Sequence, residues 1–287
     1  MALTVAEALQ ESLTALASVS ETARLDSEVW LARVLGVPRT WLLAHGEYEL
    51  SEVQAADWQI GLQRLAGGEP LPYLLGEWEF YGLTFQVSPS VLIPRPETEL
   101  LVEEAIAWLR THTHRAQPAL SAADVGTGSA IIPVAIAANV AAVHFHAVDI
   151  SPDALAVAQA NVRQHALSER IQLSEGDLLA GITTPLDLIT ANLPYIPSER
   201  VPALPVAKWE PLIALDGGDD GLELIRTLIM QAGQLLKPGG LFLEEIDPEL
   251  EETVQALALA QWPNAKVAVL PDLTGRPRLL RVELEPA

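Results

Sequence analysis

The period of apolar and polar positions changes along the chain and divides it into two regions. In residues 1–75 the apolar positions recur at helical spacing, most clearly over 26–35. Thr4 followed by Glu7 has the spacing of a capping box, and Ser51 is placed to begin another helix. We therefore expect a small helical bundle over residues 1–75.

After this region the pattern becomes that of strands alternating with helices. Residues 76–91 alternate apolar and polar around Gly82, which predicts a β-hairpin that links two domains. From residue 92 to 287 short apolar runs alternate with amphipathic stretches, as in a doubly wound α/β fold. The predicted strands are 121–125, 143–149, 171–175, 186–191, 241–246, 266–270 and 278–283, and the predicted helices lie near 131–139, 152–165, 219–236 and 248–260.

A glycine turn, Asp124-Val125-Gly126-Thr127-Gly128-Ser129-Ala130, follows the first of these strands. Its glycines let the backbone approach a ligand, and the next helix presents unpaired N–H groups there. A dinucleotide fingerprint would need glycine at Ile131, so the pattern disfavours nicotinamide. The next strand ends in Asp149, from which a carboxylate can bind both hydroxyls of a ribose. Each feature also occurs in unrelated α/β domains, but together they indicate an adenosine-containing cofactor.

The turn Asn192-Leu193-Pro194-Tyr195, after strand 186–191, can hold a planar NH₂ group. An amide or aminopurine nitrogen is a poor nucleophile because its lone pair is delocalised, so an enzyme that alkylates it must fix its geometry. The Asn192 side-chain oxygen and the carbonyl of residue 193 can each accept one N–H. Pro194 stiffens the turn, and Tyr195 offers a ring face to a flat substrate. An ordinary strand-to-loop turn would also explain these four residues.

Several segments together resemble the class I S-adenosylmethionine methyltransferases and, within them, the release-factor glutamine N5-methyltransferases. The likeness covers residues 70–287, and the run Ile93-Pro-Arg-Pro-Glu-Thr-Glu99 is its most family-specific part. The other segments are the glycine turn, Asp149, Asn192 to Ile196, Glu210-Pro211, Ala214 to Gly218, Leu236 to Gly240 and Asp272 to Arg278.

This resemblance implies a seven-stranded Rossmann-like sheet with an antiparallel last strand, and a helical domain at 1–75 that helps to recognise the substrate. Residues 192–195 would bind the glutamine of the Gly-Gly-Gln motif in a peptide-chain release factor, with Asn192, Pro194 and Tyr195 catalytic. Transfer would be a direct in-line displacement without a metal. The residues implied to bind S-adenosylmethionine are Gly126, Thr127, Gly128, Ser129, Ala130, Asp149, Asp177, Leu178 and Asn192.

Two residues depart from the family pattern. Leu193 replaces the usual first proline of Asn-Pro-Pro-Tyr, which keeps the carbonyl but loses the fixed φ, so we expect a less rigid and slower enzyme. Ala130 replaces a third glycine, and its methyl group would either crowd the cofactor or press on the helix. For Arg95, Glu97 and Glu99 two roles stay open: closing the cofactor pocket, or fixing the domain junction.

Composition narrows the possible partners. The net charge of −21, from 38 acidic and 17 basic residues, argues against a nucleic-acid substrate, which needs a basic patch. The absence of cysteine excludes thiolate catalysis and cysteine-based zinc sites. No uncharged apolar stretch reaches about 18 residues, and the first residues lack a signal-peptide pattern, so we expect a cytoplasmic protein and no membrane span. We also expect a monomer.

Three other functions remain possible at this point. The same amide-binding turn would serve to methylate a glutamine in a ribosomal protein, and Leu193 with Ala130 could instead mark a noncatalytic cofactor-binding module. A DNA adenine methyltransferase fits the turn but not the charge. Two further features have simpler explanations. The pairs His112/His114 and His144/His146 are interpreted as structural rather than metal-binding, and the acidic residues over 244–252 as a solvated helix N-terminus.

Overall fold

The protein divides into two compact units, Met1–Glu77 and Trp78–Ala287. The computed structural model describes residues 3–113 and 119–286. His114, one of the paired histidines, lies outside the described residues.

Helices build the described part of the first unit. They are α1 (Val5–Leu16), α2 (Ala23–Leu35), α3 (Arg39–Ala44), α4 (Glu52–Ala66) and α5 (Leu71–Leu75). The capping box of α1 is formed: the Glu7 N–H donates to Thr4 Oγ1 at 3.3 Å, and the Thr4 N–H donates to Glu7 at 2.9 Å. Ser51 caps α4 in the same way. Buried Trp58 donates from Nε1 to Ser12 Oγ at 3.1 Å, which ties α4 to α1 inside the core of this unit.

The predicted hairpin consists of β1 (Glu77–Phe80) and β2 (Leu83–Gln86). Tyr81 and Gly82 connect the strands, both with positive φ, which suits a tight hairpin turn. Phe80 and Phe85 are buried in the core of the second unit. Because these two aromatic side chains pack into the sheet domain, the hairpin packs as part of that unit. The sequence had suggested a linker between the two domains.

The described part of the second unit is a seven-stranded sheet covered by helices, as the sequence predicts. Its strands are β3 (Leu120–Val125), β4 (Val143–Asp149), β5 (Ile171–Glu175), β6 (Leu186–Ala191), β7 (Leu236–Glu245), β8 (Lys266–Pro271) and β9 (Pro277–Glu283). Its helices are α6 (Glu99–Thr113), α7 (Ile131–Asn139), α8 (Pro152–Gln164), α9 (Glu223–Leu235) and α10 (Glu251–Gln261).

The strand order is β5-β4-β3-β6-β7-β9-β8. Strands β3 to β7 are parallel, and β9 is antiparallel to both β7 and β8, as expected. The chain adds β4 and β5 on one side of β3 and then returns to add β6 on the other side. In sheets of this type a crevice forms where the order reverses, at the carboxyl ends of the central strands.

Both faces of the sheet are covered because successive strand residues point to opposite sides. Leu188 and Leu241 pack with α6, α7 and α8, whereas Ile189 and Phe242 pack with α9 and α10. Two helices begin later than predicted. Helix α9 starts after Gly221, whose φ of +74° ends a turn, and α10 follows a 3₁₀ turn at Pro248–Leu250.

Candidate active site

A cleft lies at the carboxyl ends of β3, β4 and β6, where the strand order reverses. The predicted site residues that line it are Gly126, Thr127, Gly128, Ser129, Asp149, Asp177, Leu178, Asn192, Leu193 and Pro194. Two predicted residues, Ala130 and Tyr195, do not line it. The family-like run after the hairpin contributes another wall, which includes Arg95 and Thr98.

The glycine turn is held in shape by the end of the neighbouring strand. Gly126 and Gly128 have φ of +67° and +53°, the left-handed region that glycine adopts without strain. The N–H of Gly128 donates to Asp149 Oδ2 at 2.8 Å, and the N–H of Ser151 donates to Asp149 Oδ1 at 2.9 Å. These two bonds fix the Asp149 carboxylate at the edge of the cleft, with lone pairs left for a ligand.

Ala130 is fully buried and caps the start of α7. Its φ of +62° is left-handed, a conformation that costs an alanine about 1 kcal/mol. The side chain packs with the core residues under α7. Of the two expectations for its methyl group, the inward-facing side chain fits pressure on the helix. Ala130 does not line the cleft, and its contact with the cofactor stays a prediction.

Leu193 connects the two turns of the cleft. It is 3% exposed, and its Cδ2 lies 2.9 Å from the position that a Cβ on Gly126 would occupy. The side chain at the position of the missing proline thus covers Gly126 and fills the space beside it.

The Asn192 side chain is oriented by a chain of hydrogen bonds. Its Nδ2 donates to Thr98 Oγ1 at 3.2 Å, and Thr98 Oγ1 donates to Glu245 Oε2 at 2.6 Å. Because Nδ2 is engaged by Thr98, the amide oxygen is left to accept a hydrogen bond in the cleft. Thr98 and Glu245 were not predicted as site residues.

Tyr195 takes a different position from the one expected. Its hydroxyl donates to Glu245 Oε1 at 3.4 Å, and its ring packs against the core residues beside β6. Burial raises the pKa of this hydroxyl, and the neighbouring Glu245 carboxylate adds to the rise. Tyr195 therefore supports the turn from behind and is not among the residues that line the cleft.

The sequence suggested that the acidic residues over 244–252 are solvated, but the two at the end of β7, Glu244 and Glu245, are not. Glu244 is 0% and Glu245 2% exposed, because β7 is a central strand covered on both faces. Burial raises the pKa of the Glu244 carboxyl well above 4.5, and the backbone N–H of Leu193 acts against that rise. Both carboxyl oxygens of Glu244 lack a well-formed hydrogen bond among the described residues.

A third buried carboxyl, Asp124, lies at the end of β3. It accepts a hydrogen bond from Thr190 Oγ1 at 2.7 Å. Burial raises its pKa to about 7, against the hydroxyls of Thr127 and Thr190, and the nearby charge of Asp149 adds to the rise. Asp124 Oδ2 and Thr127 Oγ1 are both buried and lack a well-formed partner within the described chain.

Asp124 should make stability fall with rising pH. Its pKa is raised from 3.8 to about 7 on folding. Between these two pH values the carboxyl loses its proton in the unfolded state but keeps it in the folded state, so the free energy of unfolding is highest below pH 3.8 and falls as the pH rises to about 7. We expect Asp124→Asn to gain unfolding free energy relative to the wild type between pH 5 and 7, by up to about 1.4 kcal/mol per pH unit. Urea unfolding of both proteins, with exposed Asp153→Asn as control, measures this. A pH-independent difference would contradict it.

Arg95 closes one side of the cleft. Its Nη2 donates to both carboxyl oxygens of Glu210 at 2.7 Å, and Glu210 is 3% exposed. Burial raises the pKa of Glu210, and the Arg95 guanidinium opposes that rise. Glu99 instead accepts the Tyr81 N–H of the hairpin at 2.9 Å, and Glu97 is exposed. Of the two roles left open for this run, Arg95 fits closure of the pocket.

The described residues contain no group of three or more histidine, cysteine, aspartate or glutamate side chains that could hold a metal ion. Within that same part of the chain, no helix has the length and apolar character needed to cross a membrane.

Comparison with known proteins agrees with this geometry. The model of the PrmC N-terminal domain family matches residues 7–76, and that of ribosomal protein L11 methyltransferase (PrmA) matches residues 103–195. A release factor glutamine methyltransferase of Moorella thermoacetica is 41% identical over 96% of this chain and 97% of its own. One of Koribacter versatilis is 37% identical over 97% and 98%.

Among solved structures, a methyltransferase from Pyrococcus furiosus superimposes with a TM-score of 0.51 at 17% identity, over 72% of this chain and 91% of its own. The strand order, the glycine turn and Asp149 at the end of β4 are those of a Rossmann-like fold, and the relatives named above make it a methyltransferase. With the full-length relatives, the assignment becomes specific: the chain belongs to the release factor glutamine methyltransferase family.

The structure sharpens the expectation for Leu193. Proline there would fix φ but remove the N–H that faces Glu244 and the side chain over Gly126. We expect Leu193→Pro to raise turnover, as the flexible-loop hypothesis requires, while the melting temperature falls by a few degrees because about 1–2 kcal/mol is lost. Leu193→Ala, which keeps the N–H, is the matched control. Unchanged turnover of the proline variant would remove the hypothesis.

Proposed function

We propose that the protein transfers a methyl group from S-adenosylmethionine to the side-chain amide nitrogen of a glutamine in a peptide-chain release factor, within its Gly-Gly-Gln motif. The observation that carries this proposal is the orientation of Asn192, whose Nδ2 is bound to Thr98 so that its oxygen is available in the cleft. The names of the full-length relatives support the same substrate.

The residues of the glycine turn fit the proposed cofactor. The left-handed glycines leave backbone room, Asp149 keeps free lone pairs at the edge of the cleft, and the buried hydroxyl of Thr127 lacks a well-formed hydrogen bond within the described chain. These groups would bind the ribose and the methionine part, with Asp177 and Leu178 beside the adenine. When bound, S-adenosylmethionine supplies an electrophilic methyl group on a sulfonium.

The protein's own contribution is to hold the amide nitrogen. Asn192 Oδ1 and the Leu193 carbonyl would accept the two N–H groups of the substrate amide, which localises the nitrogen lone pair. Pro194 restricts the backbone of the turn that bears both acceptors. The rate would arise from positioning, since the arrangement needs neither a covalent intermediate nor a metal.

The first unit would recognise the protein substrate. It matches the PrmC N-terminal domain over residues 7–76, and we propose that it contacts the release factor outside the reacting glutamine. The net charge of −21 makes a protein substrate a better fit than nucleic acid. A ribosomal protein is the second candidate, because the model of ribosomal protein L11 methyltransferase matches residues 103–195. That match covers only a part of the sheet domain, whereas the relatives that match nearly the whole chain carry the release-factor name.

The test is transfer of tritium from labelled S-adenosylmethionine to an unmodified release factor. The control substrate has the glutamine of its Gly-Gly-Gln motif replaced by alanine. Label on the first protein and none on the control would establish the substrate and the modified residue. Label on isolated ribosomal proteins, with none on the release factor, would overturn the proposal in favour of the second candidate.

Asp149 provides a separate test of the cofactor site. Its carboxylate accepts two backbone N–H bonds and would bind the ribose. We expect Asp149→Ala to weaken S-adenosylmethionine binding about ten- to a hundredfold, since a hydrogen bond to a charged group contributes about 1.5–3 kcal/mol. Calorimetry measures the change, and exposed Asp153→Ala, in the adjacent helix, is the control. Equal affinities for the wild type and Asp149→Ala would place the ribose elsewhere.

A further inference from the structure

The hydrogen bonds behind Asn192 have a direction, and the direction depends on Glu245. A carboxylate accepts hydrogen bonds and donates none, so the Thr98 hydroxyl must donate to Glu245 Oε2. The Thr98 oxygen can then only accept a hydrogen bond from its other neighbour, Asn192. Asn192 consequently meets it with the donor Nδ2, at 3.2 Å, and turns its oxygen away from Thr98.

We propose that Thr98 and Glu245 are positioning residues that make Asn192 present its oxygen, and not its NH₂ group, to the substrate amide. This inference rests on the proposed function, in which Asn192 Oδ1 accepts a substrate N–H. The oxygen and the NH₂ group of the Asn192 amide are nearly equal in shape. If nothing fixed the orientation of the amide, one of its two orientations would place the Asn192 NH₂ group against the N–H of the substrate, a donor against a donor.

The hydrogen bonds that join Asn192, Thr98 and Glu245 are buried or partly buried, which limits the access of water and favours a single arrangement. Thr98 is 1% and Glu245 2% exposed, and the two residues are 147 positions apart in the chain, directly before α6 and at the end of β7. The second oxygen of Glu245 is bound by the Tyr195 hydroxyl at 3.4 Å. This contact gives Tyr195 a role as well: it holds the other side of the same carboxylate.

The charges around Glu245 set its protonation. Burial raises the pKa of Glu245; the hydrogen bond from Thr98 and the Arg278 guanidinium oppose the rise, and Glu97 adds to it. Glu244, the next residue of β7, is a second buried carboxyl close enough to interact with it. Protonation would make Glu245 a donor, which frees the Thr98 hydrogen to point to Asn192 and allows the Asn192 amide to reverse.

A set of three variants tests the inference in the full-length protein. Thr98→Val keeps the shape but removes the hydroxyl, Thr98→Ser restores the hydroxyl, and Glu245→Gln removes the charge while keeping the size. We expect Thr98→Val to lower kcat for methylation of the release factor about tenfold or more, with S-adenosylmethionine affinity by calorimetry unchanged within about twofold. Thr98→Ser should recover most of the loss.

Glu245→Gln should lower kcat and shift the acid limb of the pH profile, because the Glu245 carboxylate can no longer be protonated, whereas the carboxyls of Asp124 and Glu244 remain. The side-chain NH₂ resonance of Asn192, followed by ¹⁵N NMR without substrate, should shift with pH in the wild type and stay constant in Glu245→Gln. Equal losses in Thr98→Val and Thr98→Ser, or an unchanged pH profile in Glu245→Gln, would overturn the inference.

The two proposals fail in different ways. If the wild type methylates the release factor and the variants of Thr98 and Glu245 have the same kcat as the wild type, the positioning role is wrong and the proposed function stands. If the Asn192 resonance follows the protonation of Glu245 but no label reaches the release factor, the proposed substrate is wrong and the hydrogen-bond chain stands.

Discussion

Asn192→Ala is expected to lower the rate of methyl transfer about 10²- to 10³-fold, the loss typical of removing one preorganised hydrogen-bond partner from a reacting group. The variant deletes the side-chain acceptor for the substrate amide while the Leu193 carbonyl remains. Single-turnover transfer of label to the release factor measures the rate. S-adenosylmethionine affinity, measured by calorimetry, should change far less than the rate, because the cofactor contacts of the glycine turn and Asp149 are intact.

The matched control is Asn139→Ala, since Asn139 is exposed at the end of α7. Its Nδ2 donates to the Ala135 carbonyl at 2.9 Å, within the same helix. Its loss should leave transfer unchanged. A rate for Asn192→Ala within about threefold of the wild type would show that the turn at residues 192–195 does not hold the reacting amide.

Gly217→Ala should produce the second large loss. A Cβ at this position would lie 2.7 Å from the Pro194 carbonyl oxygen, 2.8 Å from Tyr195 Cα and 2.9 Å from Gly221 Cα, all of them backbone atoms that have no rotamer to change. The turn that bears Asn192 must therefore move. A displacement of about 1 Å can lower a rate about 100-fold, and overpacking destabilises by about 1–3 kcal/mol.

Activity and melting temperature of Gly217→Ala should thus both fall. Gly46→Ala is the control, because an added Cβ there would meet only the Ala6 Cβ, at an ordinary 3.5 Å. Full activity in Gly217→Ala would mean that the Pro194–Tyr195 backbone can move without loss, and it would argue against a rigid amide-binding turn.

Local pattern is enough to predict where the strands of this protein lie, whereas the antiparallel direction of the last strand was implied by the family resemblance. Parallel strands are buried on both faces, so β3, β4 and β6 appear as apolar runs that end at polar residues close to their true ends. The glycine turn and Asp149 are found in the same way, because each follows its strand directly in the sequence. The hairpin turn at Tyr81-Gly82 is equally local.

The parts that the sequence did not predict depend on contacts between distant residues. Thr98 meets Glu245 across 147 positions, and Arg95 meets Glu210 across 115. A pair of glutamates next to a helix start has the pattern of a solvated surface, and only the neighbouring strands of β7 show that Glu244 and Glu245 are buried. Tyr195 was misplaced for the same reason, since its partner comes from another strand.

We expect the packing of Leu193 over Gly126 to link ligand binding in the two halves of the cleft. One turn would hold the methyl donor and the other the acceptor, and a change in the conformation of either would be transmitted through the side chain that covers the glycine. Binding free energies at such sites are linked, and the linkage is reciprocal: the factor by which one ligand tightens the other is the factor by which it is itself tightened. A chain with leucine at this position therefore lacks a stiff turn, but its Leu193 side chain would link the binding of the methyl donor to the binding of the acceptor.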